Sequence, residues 1–355
     1  MKSVERLFVE QHQRGAFPGG QLVVQRRGVR LLDLALGTAR GFREHEGPPI
    51  AVTAETPFQV MSASKGVLAR AIALLEARGQ LEVSAPVRRY VPEFSTPEVS
   101  ILDVLTHRSG CTMPVLSGKP ELWHDWDNVV NALGREPASY PRGTLAYQHI
   151  AFGWILGEVL QRVTGMSLQD FSVREFGGDL SWTSSEVAAH TYWLGSKRYL
   201  LNGANLAATF EHTNNRISSR TALVPGAGLL ASARSLANFY DLLLRDSSEC
   251  FRKYTRLATS GFDRISGAYV TLGRGFGLGW RGPHPYGWWN TQRCFGHPGG
   301  FSVVAYADPS SDAGIAIVTN GNRSLADLVR RFAPLGSAIR RELAGPTRPQ
   351  PGRCA

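Results

Sequence analysis

Three short segments carry side chains able to do chemistry together. The first is Ser62-Ala63-Ser64-Lys65. A serine hydroxyl is a weak nucleophile at neutral pH and needs a base within reach. Residues three apart share one face of a helix, so a helix here brings the Lys65 amine to the Ser62 hydroxyl. At a helix N-terminus the free N–H groups and the positive dipole end favour developing negative charge and oppose protonation of Lys65. The second segment is Pro141-Arg-Gly-Thr-Leu-Ala-Tyr147-Gln148-His149. Its phenol can exchange a proton in a cleft if neighbouring cations lower its pKa. The third is Gly296-His297-Pro298-Gly299-Gly300. Glycines at a strand edge admit a ligand closely, and a backbone N–H there can supply half of an oxyanion hole. Each segment alone also has an ordinary reading: an N-cap for Ser62, a half-buried aromatic for Tyr147, a structural His149, and a hairpin turn for the glycines.

The elements that must position these residues follow from periodicity and punctuation. Phe58-Gln-Val-Met61 is a short strand-like run. From Ser62 to Arg78, apolar residues at Val67, Leu68, Ile72 and Leu75 predict a helix that Gly79 stops. Ile150 to Val163, ending at Gly165, predicts a second helix entered directly from the Tyr147 segment. Ser100–Thr106, Ser167–Phe176 and Ser232–Leu244 read as further helices opened by serine. Gln21–Gln25 and Val29–Leu36 form a hairpin around Arg26-Arg27-Gly28. Phe276–Trp280, Phe301–Tyr306 and Gly314–Thr319 are late strands, followed by a helix from about Leu325 to Leu343. Residues 181–224 read as a long loop or lid, and Cys111–Tyr140, rich in Trp, Pro and Gly, shows no clear element.

Strands at both ends with helices between predict an α/β chain of the α+β type. An antiparallel sheet flanked by helices is built from residues 1–85 and 265–345. A mostly helical domain spans 86–264, and a flexible tail 346–355 follows. The 355 residues fit two or three domains of about 100–200 residues each. Hydrophobic residues make up 43%, enough for a packed core, and no apolar run reaches the about 18 residues of a membrane span.

The net charge is +10, from 39 Lys and Arg against 29 Asp and Glu. These basic residues are dispersed as pairs such as Arg26-Arg27 and Arg340-Arg341, without a stripe interleaved with aromatics, so nucleic acid is not the expected partner. The charged start, MKSVERLFVEQHQRG, has no apolar signal core, and a cytoplasmic location is expected. Cys111, Cys250, Cys294 and Cys354 lie far apart, which indicates neither a zinc site nor a disulfide framework. Cys294 reads as a buried thiol.

Taken in order, S-x-x-K, Y-x-[NH] and H-x-G before a late strand resemble the serine β-lactamase and penicillin-binding-protein superfamily. The resemblance is closest to the branch of class C β-lactamases, DD-peptidases and related carboxylesterases. Leu105-Thr-His-Arg-Ser-Gly110 is similar to that family's LLTHxSG segment. Pro225-Gly-Ala-Gly-Leu-Leu-Ala-Ser-Ala-Arg-Ser-Leu-Ala237 is similar to its PAGGLxSTAxDLA segment, and Phe17-Pro-Gly-Gly20 also matches. The likeness runs from about residue 5 to residue 345. It implies Ser62 as the acylated nucleophile, Lys65 as its activator, and Tyr147 as the proton relay to the leaving group and then from the acceptor. The N–H groups of Ser62 and Gly300 would form the oxyanion hole, with His149, His297 and Gly299 on the substrate. No metal or cofactor is implied.

Two positions depart from the β-lactamase pattern. His149 stands where those enzymes carry the Asn of Y-x-N, and His297 replaces the charged Lys of K-T-G. Both weaken the case for β-lactam hydrolysis and leave the acyl-enzyme route intact. The leading expectation is a serine hydrolase or acyltransferase on small carboxylic esters or thioesters. The alternatives are a β-lactamase or D-Ala-D-Ala peptidase, and a non-catalytic scaffold. Trp123, Trp126, Trp288 and Trp289 either line a broad apolar cleft or simply pack. Substrate, acyl acceptor and oligomeric state are not legible.

Overall fold

The structure is a computed structural model that describes residues 1–182, 188–197, 200–201, 204–216 and 222–344. Its frame is a nine-stranded antiparallel sheet. In chain order the strands are β1 Gly19–Arg26, β2 Val29–Arg40, β3 Ile50–Ala51, β4 Thr259–Phe262, β5 Tyr269–Leu272, β6 Gly277–Leu278, β7 Phe295–Gly299, β8 Val303–Asp308 and β9 Ala313–Thr319. Across the sheet they run β4-β5-β6-β7-β8-β9-β1-β2-β3, so the first strands join the last through β1 and β9. Arg27 and Gly28, between β1 and β2, both have positive φ (51° and 77°). Positive φ at both central positions is what a tight type I′ hairpin requires.

Side-chain alternation sends β1 and β9 into two cores. Leu22, Val24, Ile315 and Ile317 face one side, where they pack with Val4 and Phe8 of α1 (Lys2–Gln13) and with Phe332 and Ile339 of the C-terminal helix Leu325–Ala344. Val23, Ala316 and Val318 face the other, against Val67 and Ile72 of α2 (Ser64–Ala77) and Leu236 of the helix Ala233–Leu243. Burial on both faces explains why these strands read as unbroken apolar runs. The α2 helix is apolar almost all round, as a helix enclosed by the core must be.

Several boundaries differ from the sequence reading. The helix carrying Lys65 starts at Ser64, and Ser62 lies in the 3₁₀ turn Met61–Ala63 just before it. Ser62 is therefore not the N-cap. Ser64 serves the structure instead: its hydroxyl donates to the Met61 carbonyl (2.5 Å) and accepts from Leu229 N–H (3.2 Å). His297 and Gly299 lie within β7, which runs antiparallel to β8, and not in a loop ahead of the late strand. The sheet begins at Thr259, ahead of the expected boundary at 265, and Ala233–Leu243 packs on the sheet.

Between Cys111 and Tyr140 the chain forms the helix Trp126–Arg135, capped by Asp125. The span 181–224 contains the helix Leu206–Asn215 and the two-residue strand Tyr192–Trp193. Its remainder in part, the 346–355 tail and Cys354 lie outside the described residues. Trp123 and Trp126 pack on the core, whereas Trp289 is 64% exposed. Trp123 and Trp126 donate to the Leu116 carbonyl (2.8 Å) and Glu158 (2.7 Å). Trp288 and Trp289 are held by Ser337 and Arg340 on the C-terminal helix, across the sheet from α2.

Candidate active site

The nucleophile candidate sits on a strained turn. Met61 has φ +49°, in the left-handed region, a conformation that costs about 1–3 kcal/mol for a non-glycine residue. The strand β7 crosses this turn closely. A β-carbon on Gly299 would stand 2.0 Å from the Val60 carbonyl oxygen, and one on Gly300 would stand 3.2 Å from Met61 Cγ. Glycine at 299 is thus a steric requirement, and it brings the Gly300 amide beside the Ser62 turn.

Lys65, one helical turn on, is fully buried. Its Nζ lies 3.1 Å from Ser62 Oγ, 2.6 Å from the His149 carbonyl oxygen and 3.0 Å from the Gly226 carbonyl oxygen. Gly226 reaches it because Gly153 of the helix Ala151–Thr164 has no side chain: a β-carbon there would meet the Gly226 nitrogen at 2.0 Å. Burial pulls the Lys65 pKa down to about 7.

Tyr147 is half-buried, with the Lys65 amine 5.1 Å from its ring centroid. Its oxygen lies 3.5 Å from His297 Nε2, with the Ser62 side chain near enough to act on its pKa. The expectation that cations lower its pKa is overturned. Burial raises it, and the Asp263 charge adds to the rise. Tyr147 is therefore a neutral phenol that can both accept and donate a hydrogen bond.

The two substrate-contact candidates are also present. His297 is buried, and its Nδ1 lies 2.6 Å from the Pro298 carbonyl, a contact that requires a proton on Nδ1. Nε2 then carries the lone pair and faces Tyr147. Burial, reinforced by Lys65, lowers the His297 pKa to about 3. His149 stacks edge-on to Tyr147 at 4.9 Å, and its buried Nε2 has no hydrogen-bond partner among the described residues. Burial and Lys65 lower its pKa to about 4. At neutral pH both imidazoles are uncharged.

Four further residues complete the surroundings and carried no role in the sequence reading. His107 lies 4.5 Å from Tyr147, ring to ring. Asp263 accepts from the Tyr147 N–H (2.7 Å). Gly226 is the Lys65 acceptor described above. Arg331, buried in the C-terminal helix, donates to the Phe301 and Gly321 carbonyls beside Gly300. His107 and Gly226 fall within the LLTHxSG-like and PAGGL-like segments, the one available signal. Asp263 and Arg331 had none. Cys294 is a buried thiol whose pKa burial pushes up, with Arg340 donating to its sulfur. Among the described residues, no group of three or more His, Cys, Asp and Glu side chains is placed to hold a metal ion. No described helix is long and apolar enough to cross a membrane.

Comparison with known proteins places the chain in a family. The β-lactamase family matches residues 4–335. The esterase/β-lactamase LipL of Mycobacterium tuberculosis (strain ATCC 25618 / H37Rv) is 25% identical, over 92% of this chain and 82% of its own length. A penicillin-binding protein homologue from Caulobacter crescentus superposes with a TM-score of 0.79 at 24% identity, covering 96% of each chain. A family VIII carboxylesterase superposes with a TM-score of 0.77 at 21% identity, over 94% of this chain and 97% of its own. The chain belongs to the β-lactamase family. It is a serine hydrolase, with esterases among its relatives.

Proposed function

We propose that the protein hydrolyses small carboxylic esters or thioesters through a covalent acyl-Ser62 intermediate. The observation that carries this reading is the Lys65 amine, buried and 3.1 Å from Ser62 Oγ, with two backbone carbonyls taking its other protons. In the neutral amine, two N–H groups satisfy His149 O and Gly226 O. The lone pair then points at the Ser62 hydroxyl, and a pKa of about 7 leaves a large neutral fraction at physiological pH.

The steps follow from these positions. Ser62 attacks the acyl carbonyl as its proton passes to Lys65. The developing oxyanion is held by the N–H groups of Ser62 and Gly300, which the close crossing of β7 supports. The leaving oxygen or sulfur takes the Tyr147 proton, and Lys65 replaces it. In the second half, water binds where the leaving group was and gives a proton to Tyr147 as Tyr147 passes its own proton to Lys65. It attacks the acyl carbon, and Ser62 departs with the proton returned by Lys65. An alcohol or amine in place of water makes the same site an acyltransferase. His149, His297 and Gly299 line the substrate, which lies between β7 and the helical segments. The uncharged His297 offers no permanent cation for a β-lactam carboxylate, so esters are favoured over β-lactams.

The test is intact-protein mass spectrometry after exposure to p-nitrophenyl esters, thioesters and penicillin. A mass increase equal to the acyl group, present in the wild type and absent from Ser62→Ala, is expected with the esters. A penicilloyl adduct with rapid nitrocefin turnover would instead assign β-lactams as substrates. No adduct and no turnover with any member of the panel would remove the acyl-Ser62 route.

A further inference from the structure

We propose that His107 and Asp263 form a socket that positions Tyr147, by binding the three successive backbone N–H groups of residues 146–148 and backing the phenol ring. The proposal rests on the reading of Tyr147 as the proton relay.

The segment before the helix Ala151–Thr164 is irregular, so its N–H groups find no ladder or helical partner and must be satisfied from elsewhere. Ala146 N–H donates to the His107 carbonyl (3.0 Å). Tyr147 N–H donates to Asp263 Oδ1 (2.7 Å), and Gln148 N–H donates to His107 Nδ1 (3.1 Å). The Gln148 side chain then anchors in Ser109 Oγ (2.6 Å) and the Cys111 carbonyl (2.9 Å). His107 and Asp263 are each 2% exposed.

Both arms are themselves fixed. Asp263 closes the β4–β5 hairpin, where Oδ2 accepts from the Ser266 N–H (2.7 Å) and hydroxyl (2.6 Å). Arg264 N–H returns to the Leu145 carbonyl (3.0 Å), tying that hairpin to the tyrosine segment a second time. His107 holds φ +55°, a left-handed conformation that turns its carbonyl and its ring toward the same stretch of chain. Burial, with Lys65 nearby, keeps its imidazole neutral, and only a neutral ring has an Nδ1 lone pair to offer Gln148. The Tyr147 ring is enclosed by the His107 face at 4.5 Å, the His149 edge at 4.9 Å and the Lys65 amine at 5.1 Å. The side chain thus has one place to put its hydroxyl, between Ser62 and His297.

A double-mutant cycle on the full-length enzyme with p-nitrophenyl acetate tests this. His107→Ala should lower kcat about 10- to 100-fold with KM within about threefold, the penalty of a relay displaced by a fraction of an ångström. His107→Asn should recover most of that loss, because an asparagine tolerates the left-handed backbone and its amide oxygen can accept from Gln148 N–H. In a Tyr147→Phe background His107→Ala should cost nothing further, since the hydroxyl it aims is gone. Additive losses in the cycle, or an Asn variant no better than Ala, overturn the proposal. Should circular dichroism show His107→Ala unfolded, Asp263→Ala against Asp263→Asn runs the same cycle. A fully active Tyr147→Phe refutes the relay itself. A crippled Tyr147→Phe beside a fully active His107→Ala refutes only the socket.

Discussion

Lys65 meets the Ser62 hydroxyl at 3.1 Å while its remaining protons go to two backbone carbonyls, so the amine is solvated by the protein and not by water. That arrangement keeps a lysine near neutrality where it can work as a base, and the proposed acyl-Ser62 route requires both residues. Ser62→Ala should abolish acyl-enzyme formation, and Lys65→Ala should be nearly as damaging, each with a loss of about 10³-fold or more in kcat/KM. The check is steady-state hydrolysis of a p-nitrophenyl ester alongside intact mass. Residual activity within tenfold of wild type for Ser62→Ala would remove the nucleophile assignment.

The pH dependence follows from the same amine. Its folded pKa of about 7 lies below the ordinary value of 10.5. Activity should rise with pH along a limb centred near 7, as Lys65 loses its proton. For stability, the unfolded chain binds more protons than the folded one between about pH 7 and 10.5. Wild-type stability therefore gains with rising pH across that window. The burial penalty is fully present below pH 7 and is relieved toward pH 10. The melting temperature of Lys65→Met, measured relative to wild type, should therefore be more favourable at pH 6 than at pH 9.5. A pH-independent difference would contradict a depressed lysine.

Tyr147→Phe keeps the ring packing against His107 and removes the hydroxyl that lies 3.5 Å from His297 Nε2. A drop in kcat of about 10²- to 10³-fold is expected, with KM and melting temperature near wild type, the signature of a lost proton transfer. Because burial raises the phenol pKa, no alkaline fall in activity from its ionisation should occur below pH 10. Single-turnover acylation would locate the loss.

His149→Asn should shift preference among acyl groups while sparing turnover of a minimal p-nitrophenyl ester. Its buried Nε2 has no hydrogen-bond partner among the described residues, and it is the His149 backbone carbonyl that accepts from Lys65. Loss of all turnover would mean that the ring takes part in the chemistry.

Arg331 lies under the Phe301 and Gly321 carbonyls and is paired with Asp327 at 2.7 Å. Arg331→Met leaves those carbonyls and the carboxylate without their cation. It should cost about 2–4 kcal/mol in urea unfolding. At permissive temperature it should also slow acylation, because the Gly300 amide loses its support. Wild-type kcat in a destabilised Arg331→Met would separate the fold from the oxyanion site.

Much of this protein is legible one residue type at a time. The i, i+3 spacing of Ser62 and Lys65, the serine caps at Ser100, Ser167 and Ser232, and the apolar runs of β1 and β9 are local, and local geometry follows from neighbours in the chain. Only the tertiary structure decided the chemistry of the groups so placed. Lys65 is pulled toward 7 by the core around it. Tyr147 is pushed up where cations were expected to draw it down. The groups that aim it, His107 and Asp263, come from 40 and 116 residues away along the chain. Spacing specifies which side chains can share a face. Desolvation and hydrogen-bond partners depend on what else fills the surrounding volume, and that is set when distant segments close over the site.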